Sequence, residues 1–120
     1  MKVPNLPSLH NSLPELSHDQ LEQLMLQLQK DLAKVGNHEL YEELNERQDF
    51  SLGELSMLME NLLKQLADKH SEKFWNFLYV VDLPEEMLKE AFIFENAKRK
   101  LARIVLIREW QKVILRQHFS

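Results

Sequence analysis

The chain of 120 residues contains no cysteine and only two glycines, Gly36 and Gly53. Without cysteine it can form no disulfide, thiolate metal site or iron–sulfur cluster, and it can use no thiol in catalysis. Two isolated glycines cannot supply the glycine-rich loops that bind phosphate groups in nucleotide-binding proteins. These absences exclude enzymes that use a cysteine nucleophile or an iron–sulfur cluster and those that bind nucleotides through a glycine-rich loop.

Long apolar segments are missing as well. Apolar runs such as 78–81 and 104–107 are far shorter than the ~20 residues that span a bilayer. The first sixteen residues contain one lysine and no apolar segment typical of a signal peptide. We therefore predict a cytoplasmic protein without a membrane segment. Its composition, 44% hydrophobic and 28% charged, is typical of one globular domain.

The amino-terminal segment 1–16 is predicted to be an extended arm, because proline removes the backbone donor that a helix interior needs. Three of the four prolines fall here: Pro4, Pro7 and Pro14. Four leucines recur at spacings of three and four residues: Leu6, Leu9, Leu13 and Leu16. We expect them to pack on the chain's own helices or, less favoured, on a partner. Residues 17–120 are predicted to form a single helical domain.

Two helix starts are marked by capping boxes, in which a serine and a glutamine or glutamate three residues later satisfy each other's backbone amides. Ser17 and Gln20 form the first pair, and Ser51 and Glu54 form the second. Apolar residues at helical spacing follow each start, and Gly36 ends the first helix. A shorter helix is predicted over 38–48.

Residues 72–81 resemble a strand in composition, but the chain offers no second strand to pair with them. We predict a helix there, either fused to the preceding helix or separate from it. Pro84 with two following glutamates predicts another helix start, and a break near Asn96 precedes a long last helix of roughly 97–118. The predicted fold is an all-α compact bundle of five or six helices, with the extended proline-containing arm and a long C-terminal helix.

The C-terminal helix is unusual in charge and in apolar pattern. Residues 96–120 contain seven Lys or Arg and a single acid, Glu109, whereas residues 1–95 contain eight Lys or Arg and eighteen acids. Its apolar residues occupy two nearly opposite faces, which places the helix at the centre of its bundle or between two subunits. Arg108, Lys112 and Arg116 form a basic stripe along it.

Three interpretations of this basic stripe remain open. Its cations can pair internally with the glutamates of 38–48 or with the acids of 82–90, which is the favoured interpretation. They can instead form a protein-binding or homodimer surface anchored by Trp110, because Trp and Arg dominate interface energies. The third interpretation, nucleic-acid binding, is less favoured because the sequence pI is near 5.7.

Catalytic and metal-binding patterns are weak. Glu15 and His18 have the spacing of a di-iron ligand pair, but the motif occurs once and spans a predicted helix start. Four glutamates share one face of the predicted 38–48 helix, where a solvated or docking face is favoured over catalysis: Glu39, Glu42, Glu43 and Glu46. We predict that the protein is not an enzyme and needs no metal or cofactor.

The aromatic residues of 72–81 divide by helical position. Phe74 and Phe77 continue the core face. Trp75 and Tyr79 point elsewhere, where they cover another helix or form an exposed pair, and packing is the favoured role.

The predicted function is that of a non-enzymatic helical interaction protein, an adaptor, regulator or inhibitor, acting through a protein-binding surface with a different protein or as a homodimer. A nucleic-acid-binding protein, or a regulator of one, is the alternative. The candidate partner-binding residues are Arg108, Trp110, Lys112, Arg116, Glu42, Glu43 and Glu46.

Overall fold

The computed structural model describes residues 6–10, 12–38, 42, 51–92 and 97–119. Within these ranges the chain forms five α-helices and no strand, which confirms the all-α class. The helices are α1 (His18–Lys34), α2 (Leu52–Lys69), α3 (Ser71–Val81), α4 (Glu85–Phe92) and α5 (Ala97–Phe119). Of the short helix predicted over 38–48, only His38 and Glu42 are among the described residues.

The structure shows the local features that the sequence predicts at the ends of α1 and at the start of α2. Ser17 Oγ accepts from the Gln20 backbone N–H at 3.2 Å, and Gln20 Oε1 accepts from the Ser17 N–H at 2.8 Å, which completes the capping box of α1. Ser51 Oγ accepts from the Glu54 N–H at 3.1 Å at the start of α2. Beyond α1, Gly36 adopts a left-handed conformation with φ of 77°. Both starts and this end are confirmed, although the full capping box is shown only for Ser17 and Gln20 and, at the second start, Glu54 Oε1 accepts from the Ser51 hydroxyl at 3.2 Å.

Residues 72–81 are helical, as predicted, and α3 is separate from α2. The separation lies at His70, whose φ of −140° and ψ of 60° interrupt the helical backbone. Phe74 and Phe77 belong to the core. Asp82 ends α3 in a left-handed conformation, with φ of 65°.

The long helix α5 lies at the centre of the bundle and packs against each of the other four described helices. Its burial is therefore supplied by its own chain, which explains the two apolar faces in its sequence. The residues of α5 that are buried are Leu101, Ala102, Ile104, Val105, Leu106, Ile107, Glu109, Trp110 and Val113.

The described part of the arm packs against the core through three half-buried leucines: Leu9, Leu13 and Leu16. Two side chains of α5 hold its backbone. Gln111 Nε2 donates to the carbonyl of Pro7 at 2.7 Å, and Arg103 Nη1 donates to the carbonyl of Leu9 at 3.2 Å. The arm thus lies along α5 of the same chain, as the favoured interpretation expects.

None of the described helices combines the length and apolar character required to cross a bilayer.

Candidate functional site

The three cations of the basic stripe all contact acceptors within the chain. Arg108 Nη2 lies 3.4 Å from Asp82 Oδ2, and its Nε donates to the Asp82 carbonyl at 3.2 Å. Arg116 Nη1 donates to Gln27 Oε1 at 3.0 Å. Lys112 Nζ is 2.8 Å from Asp31 Oδ2. The Arg108 contact lies in the predicted acidic segment 82–90, whereas Asp31 on α1 was not anticipated.

Of the remaining candidate residues, only Trp110 and Glu42 are among those that the structure describes. Trp110 is only 5% exposed and belongs to the core, so its indole is not at the surface in this fold. Glu42 is exposed. Glu43 and Glu46 lie outside the described residues. The structure thus offers no Trp110-anchored surface for a partner.

A buried charge cluster, which we define as Asp31, Glu109 and Lys112, joins α1 to α5. Both acids are fully buried, with 0% exposure. The Lys112 ammonium donates to Asp31 Oδ2 and to the Val80 carbonyl, each at 2.8 Å, and lies 3.9 Å from Glu109 Oε1. Since Val80 belongs to α3, this one ammonium group links three helices.

The second Asp31 oxygen has partners from its own helix. Gln27 Nε2 donates to Asp31 Oδ1 at 3.3 Å, and Lys34 Nζ lies 3.5 Å from the same atom. The carboxylate of Asp31 is therefore compensated on both oxygens, as a buried charge requires. By contrast, neither side-chain oxygen of Glu109 receives a hydrogen bond.

The two acids respond to this environment in opposite directions. Burial raises the pKa of Asp31, but hydrogen bonds from Glu109 and Lys112, the Lys112 charge and the Gln27 amide outweigh it and hold that pKa below its usual value. Burial, together with the hydrogen bond and charge of Asp31, raises the pKa of Glu109 to about 9. With a pKa of about 9 the Glu109 carboxyl is protonated at neutral pH, so no second negative charge lies beside the buried Asp31 carboxylate.

A strongly shifted carboxyl pKa is a mark of functional sites and also of structural charge networks. Here the Glu109 carboxyl is fully buried and meets no solute in this conformation. The cluster is best explained as a structural link between helices. A sequence signal for it existed: Glu109 is the only acid of residues 96–120 and lies within the apolar pattern of the last helix.

Among the described residues, no group of three or more histidine, aspartate or glutamate side chains is arranged to hold a metal ion. The predictions of no metal, no cofactor and no enzymatic activity stay predictions.

Three exposed aromatic side chains of α3 and α4 form what we define as the aromatic surface: Trp75, Tyr79 and Phe92. Trp75 is 54% exposed and Tyr79 86%, whereas Phe92 is partly exposed. The Trp75 and Phe92 rings pack with centroids 5.6 Å apart. Tyr79 is exposed, whereas Trp75 packs against Phe92 of α4 and is also half exposed, so the favoured packing role is met by Trp75 in part and not by Tyr79.

Lys98 packs over two aromatic rings at one edge of this surface. Lys98 Nζ lies 5.2 Å from the centroid of the Phe92 ring and 5.3 Å from that of Phe74. Both distances are within the range of a cation–π interaction. Phe74 is buried and also meets Trp75 edge-on, with centroids 5.2 Å apart. Within the aromatic surface, Trp75 and Phe92 are therefore packed against each other and against the buried Phe74.

The two tryptophans should differ in access to a soluble quencher. We expect iodide to quench the fluorescence of Trp75 strongly and that of Trp110 weakly, because Trp75 is half exposed and Trp110 is buried. In Trp75→Phe, the remaining emission should be blue-shifted and protected, as Stern–Volmer titration would show. Strong quenching of that variant would contradict the placement of Trp110.

Comparison of the chain with protein-family models, curated proteins and solved structures found no match.

Proposed function

We propose that the protein is a non-enzymatic helical adaptor, regulator or inhibitor, and that the aromatic surface is where it contacts a partner protein or a second copy of itself. The exposure of Trp75 and Tyr79 is the observation that carries this proposal. Tryptophan and tyrosine are among the residues that contribute most binding energy at interfaces. Leaving both rings in water is unfavourable unless another surface covers them.

The packing around Trp75 is suited to an interface anchor, a side chain that is already ordered before its partner binds. Trp75 is held between Phe74 and Phe92, so little side-chain entropy remains to be lost on binding. Tyr79 follows Trp75 one helical turn later and adds a hydroxyl group able to donate or accept a hydrogen bond. This arrangement suits a partner with an apolar pocket and a polar rim.

The basic stripe contributes less to this proposal than the sequence suggested. Arg108, Lys112 and Arg116 contact acceptors of their own chain, so binding a partner through them would require those contacts to break. The same argument weakens the nucleic-acid alternative, since binding would need cations free to replace counterions at phosphates. Interaction through the aromatic surface needs no such rearrangement.

The proposal is tested with the double variant Trp75→Ser/Tyr79→Ser and the control Leu26→Ser, which changes an exposed leucine on α1. Wild-type protein used as bait in an extract of its own cells should recover a partner that the double variant loses and Leu26→Ser retains. If the partner is a second copy, sedimentation equilibrium should show that the wild type and Leu26→Ser are dimers and that the double variant is a monomer. Thermal melts establish that both variants are folded. The proposal would be contradicted if the double variant recovered the same partner and had the same sedimentation mass as the wild type.

A further inference from the structure

The two helices that carry the aromatic surface are joined by a short connection, residues 82–84, which we call the corner. Helix α3 carries Trp75 and Tyr79, and α4 carries Phe92. Away from the corner the two helices meet again, because the Trp75 and Phe92 rings lie with their centroids 5.6 Å apart. The placement of one part of the aromatic surface relative to the other therefore depends on the direction in which the corner sends α4.

Asp82 occupies the corner in an unfavourable backbone conformation. Its φ of 65° and ψ of 56° are left-handed, a region that is sterically costly for any residue with a side chain. Among the described residues, no other residue except glycine has a positive φ. The acid also lies at the carboxyl end of α3, where the helix dipole is negative and the last turn contains no basic residue. A residue in such a position persists only when surrounding contacts hold it there.

Two cations of α5 supply those contacts. Arg108 Nε donates to the Asp82 carbonyl at 3.2 Å and its Nη2 lies 3.4 Å from Asp82 Oδ2, so one guanidinium holds both the backbone and the side chain of this residue. The remaining nitrogen, Nη1, donates to Gln111 Oε1 at 3.2 Å, which orients the guanidinium on its own helix. Lys112 donates to the Val80 carbonyl at 2.8 Å. Together they compensate carbonyl groups at the end of α3, where a helix leaves such groups without partners of its own.

We propose that Arg108 is a positioning residue for the aromatic surface: it holds Asp82 in its left-handed conformation, which sets how α4 leaves α3 and keeps Phe92 against Trp75. The inference rests on the proposed function, because it names what orders the surface at which a partner binds. It also gives the basic stripe a role other than direct contact with a partner. Arg108 acts through the corner, several residues away from the aromatic rings in either direction along the chain.

The first measurement is hydrogen exchange of the backbone amides on either side of the corner, followed by NMR. The Asp82 amide donates to carbonyls of the last turn of α3, and the Met87 amide donates to the Pro84 carbonyl at the start of α4. In Arg108→Met both amides should exchange about five-fold faster than in the wild type, the factor that corresponds to the loss of one typical hydrogen bond. Amides of α2 provide the internal reference and should not change.

The second measurement is iodide quenching, which reports on the aromatic surface itself. The accessible tryptophan, Trp75, should be quenched more strongly in Arg108→Met, because its ring loses the contact with Phe92. The matched control is Arg116→Met, which removes a guanidinium of the same stripe that contacts Gln27 of α1 and not the corner. This control should leave the exchange at the corner and the quenching unchanged.

A second variant acts on the other side of the same contact. Asp82→Ala removes the carboxylate that Arg108 holds and places in the left-handed region a residue that enters it less readily than aspartate does. It should accelerate exchange of the Met87 amide and increase the quenching of Trp75, as Arg108→Met does. Thermal melts establish that each variant is folded.

Wild-type exchange at the corner together with wild-type quenching in folded Arg108→Met would overturn the positioning role. Changes of equal size in Arg116→Met would also overturn it, because the loss of any cation of the stripe would then suffice. Neither measurement needs a partner, so the result is independent of the proposed function. If both change as expected while partner capture does not depend on Trp75 and Tyr79, the positioning role stands and the proposed function fails.

Discussion

Replacing Lys112 by methionine is expected to lower the free energy of unfolding by about 3–5 kcal/mol, the usual cost of removing one partner from a buried ion pair. Lys112 donates to Asp31 at 2.8 Å, and the Asp31 carboxylate is fully buried. The variant removes the partner of Asp31 Oδ2 and leaves the Gln27 amide and the solvated ammonium of Lys34, 3.3 Å and 3.5 Å from Oδ1. Urea unfolding at neutral pH, followed by circular dichroism, measures the change.

The control is Lys64→Met, which removes an exposed lysine paired with Glu60 at 3.6 Å. Exposed ion pairs contribute about 0–1 kcal/mol, so this variant should remain near wild-type stability. Adding Asp31→Leu to Lys112→Met removes the uncompensated charge and should recover part of the loss, a coupling that a double-mutant cycle measures. A loss in Lys112→Met no greater than in Lys64→Met would contradict the structural role of the cluster.

The second large effect is a fall in stability as the pH rises, caused by Glu109. Its pKa is raised from 4.5 to about 9 in the folded chain. Between these values the folded state holds a proton that the unfolded state has released. Stability should therefore decrease with rising pH, at a slope of up to about 1.4 kcal/mol per pH unit.

Asp31 limits stability at the acidic end. Its folded pKa lies below its ordinary value of 3.8, so its contribution is present above that value and is lost as the pH falls through the lowered pKa. The two acids together predict greatest stability in mildly acidic solution.

Glu109→Gln isolates the pH effect, because an amide has nearly the shape of the protonated carboxyl and is likewise uncharged, but does not titrate. We expect this variant to be more stable than the wild type at about pH 8 and to have a flatter pH profile. Near pH 5 the two proteins should differ by no more than about 1 kcal/mol, the worth of a typical hydrogen bond. Urea unfolding across this pH range measures both quantities.

Glu85→Gln serves as the control, because Glu85 is an exposed acid in a weak pair with Lys89 at 3.9 Å. It should reproduce the wild-type pH profile. An unchanged slope in Glu109→Gln would show that Glu109 is not the group responsible.

Different residues of this protein are expected to determine its folding stability and its proposed binding of a partner. Lys112 and Glu109 act inside the bundle, where they join α5 to α1 and α3. Tyr79 lies on the surface and can be changed at little cost to folding, whereas replacing the half-exposed Trp75 also removes its packing against Phe74 and Phe92, which the thermal melts monitor. Loss of partner binding in variants of the aromatic surface can therefore be interpreted without a change of fold.

The sequence by itself determined the helical architecture, because its signals act within one or two turns. Ser17 caps α1 through Gln20, and Gly36 ends it by adopting a conformation that other residues rarely accept. The prolines of the arm and the apolar spacing of the last helix likewise operate locally. For these features neighbouring residues suffice to decide the structure.

Only the tertiary structure decided which side chains face water and which charges meet. Both Trp75 and Trp110 occupy helices rich in apolar residues, yet one is half exposed and the other buried, since helix packing determines which faces are covered. The pairing of Asp31 with Lys112 joins residues distant in the chain, so no local spacing could indicate it. The proposed interaction surface therefore contains Trp75 and not Trp110, because the exposure of a side chain is a property of the assembled bundle.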